Sequence, residues 1–361
     1  MTLNPLKTQA SFRLLAALMM SVSAVPAADS APGGALPKPE AKAADLSKPV
    51  KVFILMGQSN MFGMGDVGPA EKMGTLEYMT RTEKKYPHLL DDSGKWTVRA
   101  DARYVQVMQQ RDKMQVLKND WLTLQGRSIG PELQFGHILG HLLDEPVLIL
   151  KTCIGNRSLG WDLLPPGSER YAVDGTTYAG YKDTPDKWIE GQPKKEVPWY
   201  AGKQYDDDVA NAKKVLENLG EYYPGATKYE VAGFAWWQGH KDQNAVHAAR
   251  YELNLVNLIK SLRKDFNAPD AKFVVATGCG NPGRTGFGLQ IAEAQLAVDG
   301  DSGKHPEFKG NVKTVDTRDF WREADVSPKN QGYHYNRNAG TYMEVGNAMG
   351  RAMAEMLKVE Q

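Results

Sequence analysis

Ser59 stands at the end of the apolar run Val52-Phe53-Ile54-Leu55-Met56, within Gly57-Gln58-Ser59-Asn60-Met61. A buried strand that ends in a glycine and a serine puts a hydroxyl beyond the strand's carboxyl end, where open α/β sheets bind their ligands. If a helix starts there, its free N–H groups point at the hydroxyl and favour negative charge developing beside it. That suits a nucleophile; the structural alternative is a helix cap, for which serine is a preferred residue. A serine nucleophile also needs a base within hydrogen-bond reach. Of the 7 histidines, His334 has the best context: Gly332-Tyr333-His334-Tyr335-Asn336 reads as a loop before the last helix, from which an imidazole can lean over the sheet edge. His88, His137, His141, His247 and His305 lack such surroundings and read as structural.

Other chemistry is weaker on the same inspection. Asp206-Asp207-Asp208 could hold a metal, but carboxylates opening a helix more often serve its dipole. Gly278-Cys279-Gly280-Asn281-Pro282-Gly283-Arg284 lacks the Gly-Lys-Ser/Thr ending of a phosphate loop and reads as a connection bordering a site. Trp161, Trp188, Trp199, Tyr200 and Tyr205 could be platforms for sugar rings or simply pins for a long loop. Two cysteines, Cys153 and Cys279, exclude a multi-disulfide framework and a four-thiolate zinc site while leaving one bridge possible. With 44 Lys and Arg against 43 Asp and Glu, the chain has no long-range attraction toward nucleic acid or anionic lipid.

The elements that must position these groups follow from periodicity. Near-continuous apolar runs, as in a parallel sheet covered on both faces, predict strands over Val52–Met56, Pro146–Thr152, Val231–Trp237, Lys272–Thr277 and Asn311–Asp316. Helical spacing predicts helices over Pro131–Leu143, Asp207–Leu219, Asn244–Phe266, Leu289–Val298 and Thr341–Leu357, the last with Met349, Met353, Met356 and Leu357 on one face. Such alternation predicts a three-layer α/β domain. Two long stretches, Asp66–Gly130 and Asn156–Tyr205, interrupt it and are expected to roof a site, since connections of that length are uncommon inside a compact domain.

Ahead of the domain, residues 1–27 carry Lys7 and Arg13, then the apolar run from Leu14, then small residues to Ala27. Basic, apolar, small is the order of a secretory signal peptide, and the apolar part is too short for a membrane anchor. The expected product is therefore exported, without an anchor after cleavage. Residues 28–49, rich in Ala, Pro and Lys, read as a flexible linker, and residues 50–361 as one domain.

The Gly57-Gln58-Ser59-Asn60-Met61 string resembles the nucleophile block of the SGNH (GDSL-like) hydrolases, and within them the sialate O-acetylesterase and carbohydrate esterase family six group. Four further segments are similar in the same order. They are Ile129-Gly130-Pro131-Glu132-Leu133-Gln134-Phe135-Gly136, then Thr152-Cys153-Ile154-Gly155-Asn156-Arg157-Ser158-Leu159 with Trp161, then Trp236-Trp237-Gln238-Gly239-His240-Lys241-Asp242, and last the His334 loop. The resemblance covers roughly residues 50 to 358 and matches the two long insertions poorly. It implies a flavodoxin-like, three-layer fold with a five-stranded, mostly parallel sheet, and hydrolysis of acetyl esters on a carbohydrate without a cofactor.

Carried over by position, Ser59 is the nucleophile and His334 the base. The oxyanion donors are the backbone N–H groups of Ser59 and Gly155 and the side-chain amide of Gln238. Gln58, Asn60, Asn156, Trp161 and Trp237 are the expected substrate contacts. The triad acid departs from the pattern: Gln331 occupies the usual aspartate position three residues before the histidine, and His240 the alternative glutamate position. Asp242 is the nearest surviving carboxylate and the expected acid, with Asp325 and Asp319 as alternatives, or a Ser-His dyad in which Gln331 or a carbonyl orients His334. An esterase or lipase for non-sugar esters, or a carbohydrate-binding homologue without turnover, are the competing functions.

Overall fold

The apolar run ahead of Ser59 forms strand β1, Val50–Gly57, buried along its length except at Lys51. In the computed structural model, which describes residues 1–2, 36–278 and 280–359, β1 lies in the middle of a seven-stranded sheet. The other strands are β2 (Ala102–Gln110), β3 (Lys113–Trp121), β4 (Val147–Thr152), β5 (Tyr229–Trp237), β6 (Lys272–Ala276) and β7 (Val312–Val315). Their spatial order is β7-β6-β5-β1-β4-β2-β3. All neighbours run parallel except the β2–β3 hairpin. The chain therefore leaves β4 on one side of β1 and re-enters as β5 on the other, so the strand order reverses at β1, and it is beyond the carboxyl ends of the strands at such a point that open α/β sheets bind ligands.

All five predicted strands are present, and the sheet has two more than expected. Both additions, β2 and β3, come from the stretch read as a roof. Their residues are too polar to show the buried pattern, because β3 is a largely exposed edge strand carrying Lys113, Lys118, Asn119 and Asp120, the composition that protects an edge from pairing with another chain.

Helices α1 (Glu132–Leu142), α2 (Lys203–Glu217), α3 (Ala245–Asp265), α4 (Gly286–Ala297) and α5 (Ala339–Met356) cover the sheet. Successive side chains of a strand point to opposite faces, and the two cores show it. Val52, Ile54 and Met56 of β1 pack with residues of α2 and α3, whereas Phe53 and Leu55 pack with residues of α1 and α5. On α5, Met349 and Met353 are buried in that second core and Met356 and Leu357 flank it. The other long stretch, 156–205, builds a small antiparallel sheet from Tyr171–Val173, Thr176–Tyr178 and Lys187–Ile189. Beside it Trp161 packs on a cluster of Leu164, Ala179, Trp188 and Ala201.

Of the expected leader only residues 1–2 are described, and Cys279 lies outside the described residues. Within residues 36–49, Leu36 is buried, and Lys38 and Lys48 reach Asp92 and Asp144. Among the described residues no helix is long and apolar enough to cross a membrane.

Candidate active site

Glycine at position 57 is what lets the serine turn follow β1 so closely beside β5. Its φ is +154°, and a Cβ there would lie 2.2 Å from the carbonyl oxygen of Trp237, so only glycine lets the ends of β1 and β5 come this close. The chain then turns into one helical turn, Ser59–Phe62, closed by Phe62 N–H donating to Gln58 O at 2.8 Å. The opening N–H groups of such a turn have no carbonyl of their own turn to bond. From the neighbouring strand, the segment after β4 passes directly alongside: a Cβ on Gly155 would be 3.5 Å from the Ser59 Cβ. Asn156 follows, exposed and left-handed at φ +58°.

His334 arrives from the far end of the sequence and is latched to the same turn. Asn60, next to Ser59, donates from Nδ2 to Tyr333 O at 3.2 Å. The Tyr342 hydroxyl, on α5, lies 2.8 Å from Asn60 Oδ1 and 3.1 Å from His334 O. Three consecutive left-handed residues, Tyr335, Asn336 and Arg337, shape the loop behind the histidine. Asn336 holds that strained turn by accepting from Gln331 N–H at 2.9 Å and donating to Arg322 O at 2.9 Å.

The group facing His334 Nδ1 is Gln331 Oε1, at 3.2 Å. An amide oxygen there accepts the Nδ1 proton and leaves Nε2 as the free base. Gln331 is itself held by its Nε2 donating to the Tyr333 hydroxyl at 2.6 Å. Burial pushes the His334 pKa down to about 4, helped by the positive charge of Arg337 and by His240. His240 is lowered too, by burial and by Lys241 beside it.

The structure corrects the expectation for Asp242. It is completely buried, and its oxygens accept from Leu159 N–H, Gly160 N–H and Gln238 Nε2 at 2.8, 2.8 and 2.6 Å, with His247 Nδ1 at 3.2 Å. Its carboxyl group anchors the segment after β4, while His334 Nδ1 faces Gln331. Gln238 also departs from the oxyanion expectation. Its two N–H protons face three internal acceptors, Asp242 Oδ2, Arg157 O and Gln58 Oε1, and its Oε1 accepts from Tyr251. Gln238 thus clamps the ends of β5, β1 and β4 together.

Trp237 is buried, ring to ring with Tyr335 and Tyr342, so it floors the site and presents no face to a ligand. Gln58 and Asn60 are likewise buried positioning groups; Asn156 is exposed, and Trp161 is half-buried against the cluster of the long stretch. Trp188 and Tyr205 are buried pins. Of the alternative acids, Asp319 pairs with Arg284, and Asp325 lies on a separate exposed turn. Asp206, Asp207 and Asp208 point to three different partners: Lys182, Lys203 and Thr152. No group of three potential metal ligands occurs among the described residues.

One buried ion pair was not legible as part of the site. Lys151, in β4, pairs with Glu132 at the start of α1, and its ammonium donates to Phe62 O at 3.1 Å, at the end of the Ser59 turn. Glu132 also accepts from Gly130 N–H at 3.0 Å. The signals in the sequence are a lysine in an otherwise apolar strand and a glutamate directly after Gly130-Pro131.

The fold is thus a mostly parallel α/β sheet that carries a serine turn and a histidine loop, latched to each other, at its switch point. The profile of the family described as carbohydrate esterase, sialic acid-specific acetylesterase, matches residues 49–355, and the chain belongs to that family. It is accordingly a carbohydrate O-acetylesterase. Solved structures to which it is similar include a protein from Arabidopsis thaliana, at 17% identity and TM-score 0.48, covering 85% of this chain and 99% of that one. A carbohydrate acetylesterase from Xanthomonas citri gives 14% identity and TM-score 0.48, covering 85% of this chain and 56% of that one. NanS gives 13% and 0.46, covering 86% and 98%. No curated protein matches the chain significantly.

Proposed function

We propose that the chain is an exported serine esterase that removes O-acetyl groups from a carbohydrate, of the sialate or acetylxylan type, through an acyl-enzyme on Ser59. The observation that carries this reading is the latch of Asn60 and Tyr342 on residues 333 and 334, which fixes the histidine loop to the serine turn. Export is supported by the order of basic, apolar and small residues over 1–27.

In this mechanism His334 Nε2 takes the hydroxyl proton as Ser59 Oγ bonds to the acetyl carbon. Negative charge moves to the former carbonyl oxygen, received by the N–H groups of Ser59 and Gly155. The bond to the sugar oxygen then breaks, that oxygen takes the proton from His334, and the deacetylated sugar leaves. Water attacks the acetyl-serine with His334 again as base, and acetate departs with Ser59 regenerated. Gln331 takes the place of the triad acid by holding the Nδ1–H tautomer. It orients the ring without supplying the charge that a carboxylate would add.

Ser59→Ala and His334→Ala are each expected to lower kcat on an acetylated sugar by about 10³-fold or more, with neither loss adding fully to the other in the double variant. Turnover unchanged in Ser59→Ala overturns the reading.

A further inference from the structure

Tyr333 is 47% exposed, while Tyr335 and Tyr342 beside it are buried. Its ring lies 4.5 Å, centroid to centroid, from the ring of His334 and 6.0 Å from that of His240. Both its hydroxyl and its backbone carbonyl are held. Its hydroxyl accepts from Gln331, its carbonyl accepts from Asn60, and Gly280 packs so closely that a Cβ there would lie 2.5 Å from Tyr333 O. A large aromatic face is thus held rigidly in solvent against the group that must hand a proton to the departing alcohol.

That position constrains what the ring can meet. Proton transfer requires the leaving oxygen within hydrogen-bond reach of His334, so the body of the alcohol has to lie beside the same imidazole, where Tyr333 already stands. Tyrosine offers a wide, amphipathic contact at low conformational cost, and a ring already immobilised loses little entropy on binding. We propose that Tyr333 is the specificity residue for the leaving group, its exposed face stacking on the sugar ring that carries the acetyl ester. The proposal rests on the Ser59–His334 reading and extends it from the acyl side to the alcohol side.

The test compares kcat/KM for an O-acetylated sialic acid with kcat/KM for ethyl acetate, which has the same acyl group and no ring to stack. In Tyr333→Ala the ratio of the two is expected to fall about tenfold, mainly through KM for the sugar. Tyr333→Trp keeps an aromatic face and is expected to keep a ratio close to that of the unaltered protein. Because Tyr333 also braces Gln331, either variant can change both rates together, and the ratio removes that common effect. An unchanged ratio in Tyr333→Ala, or an equal loss on both substrates, overturns the stacking role. Turnover persisting in Ser59→Ala identifies the underlying serine reading as the part that failed.

Discussion

Gln331 is the residue at which this site departs most from a Ser-His-Asp arrangement, and its consequence is measurable as a pH profile. Its amide oxygen fixes the His334 tautomer, yet an uncharged partner gives the protonated ring no electrostatic support. With the His334 pKa pushed down to about 4, the ring is neutral, and competent as a base, throughout the range above that value. The acidic limb of kcat/KM is therefore expected near pH 4, well below the ordinary histidine pKa of about 6.5. A carboxylate in the same place favours the imidazolium, so Gln331→Asp should move that limb upward. Gln331→Leu, which frees the tautomer, should cost about 10- to 100-fold in kcat at neutral pH. A limb that stays put in Gln331→Asp shows that another group orients the ring. Ser59 and His334 could be singled out as candidates because short local strings surround them. Asp242 was misassigned because its partners, the N–H groups of Leu159 and Gly160, lie some 80 positions away, and proximity to a motif says nothing of which charge a folded loop will claim.

Among elements, the Ser59 turn depends on what lies beneath it. Lys151 and Glu132 join β4 and α1 under the end of that turn, Lys151 fully buried and Glu132 nearly so. Removing one member of a buried pair leaves the other charge uncompensated, typically at about 3–5 kcal/mol, whereas replacing both with apolar groups is far less damaging. Lys151→Met is accordingly expected to lower the thermal unfolding midpoint strongly, and Lys151→Met with Glu132→Leu to recover much of it, both read by calorimetry. Equal midpoints for the single variant and the parent sink that assignment. Strands β1, β4, β5 and β6 could be read from sequence since each lies inside the sheet and is mostly apolar, and β7, the short edge strand, since it alternates buried and half-buried residues. The hairpin of β2 and β3 could not, because its outer strand meets water and its composition answers to solubility at the sheet edge more than to packing.

On the scale of the whole molecule, the Ser59 turn and the His334 loop, separated by most of the chain, are tied together through Asn60 and Tyr342 at the point where the sheet reverses its order. Ser59 follows β1 at that reversal, and α5, packed on the opposite layer from α2 and α3, brings the His334 loop back over it through Tyr342. The composition, almost balanced in charge, agrees with a surface that neither steers toward nor repels polyanions. Gly57, Asn60, Gln238, Tyr342 and the Lys151–Glu132 pair then serve one end, holding a serine turn and an imidazole in register. The most direct measurement is to quench the enzyme during turnover of an acetylated sugar and map the acetyl group by peptide mass spectrometry. Acetyl on the Ser59 hydroxyl, absent in Ser59→Ala and hydrolysed at the rate of turnover, is the predicted result. Undiminished deacetylation with no acetyl group on Ser59 at any time point would contradict it.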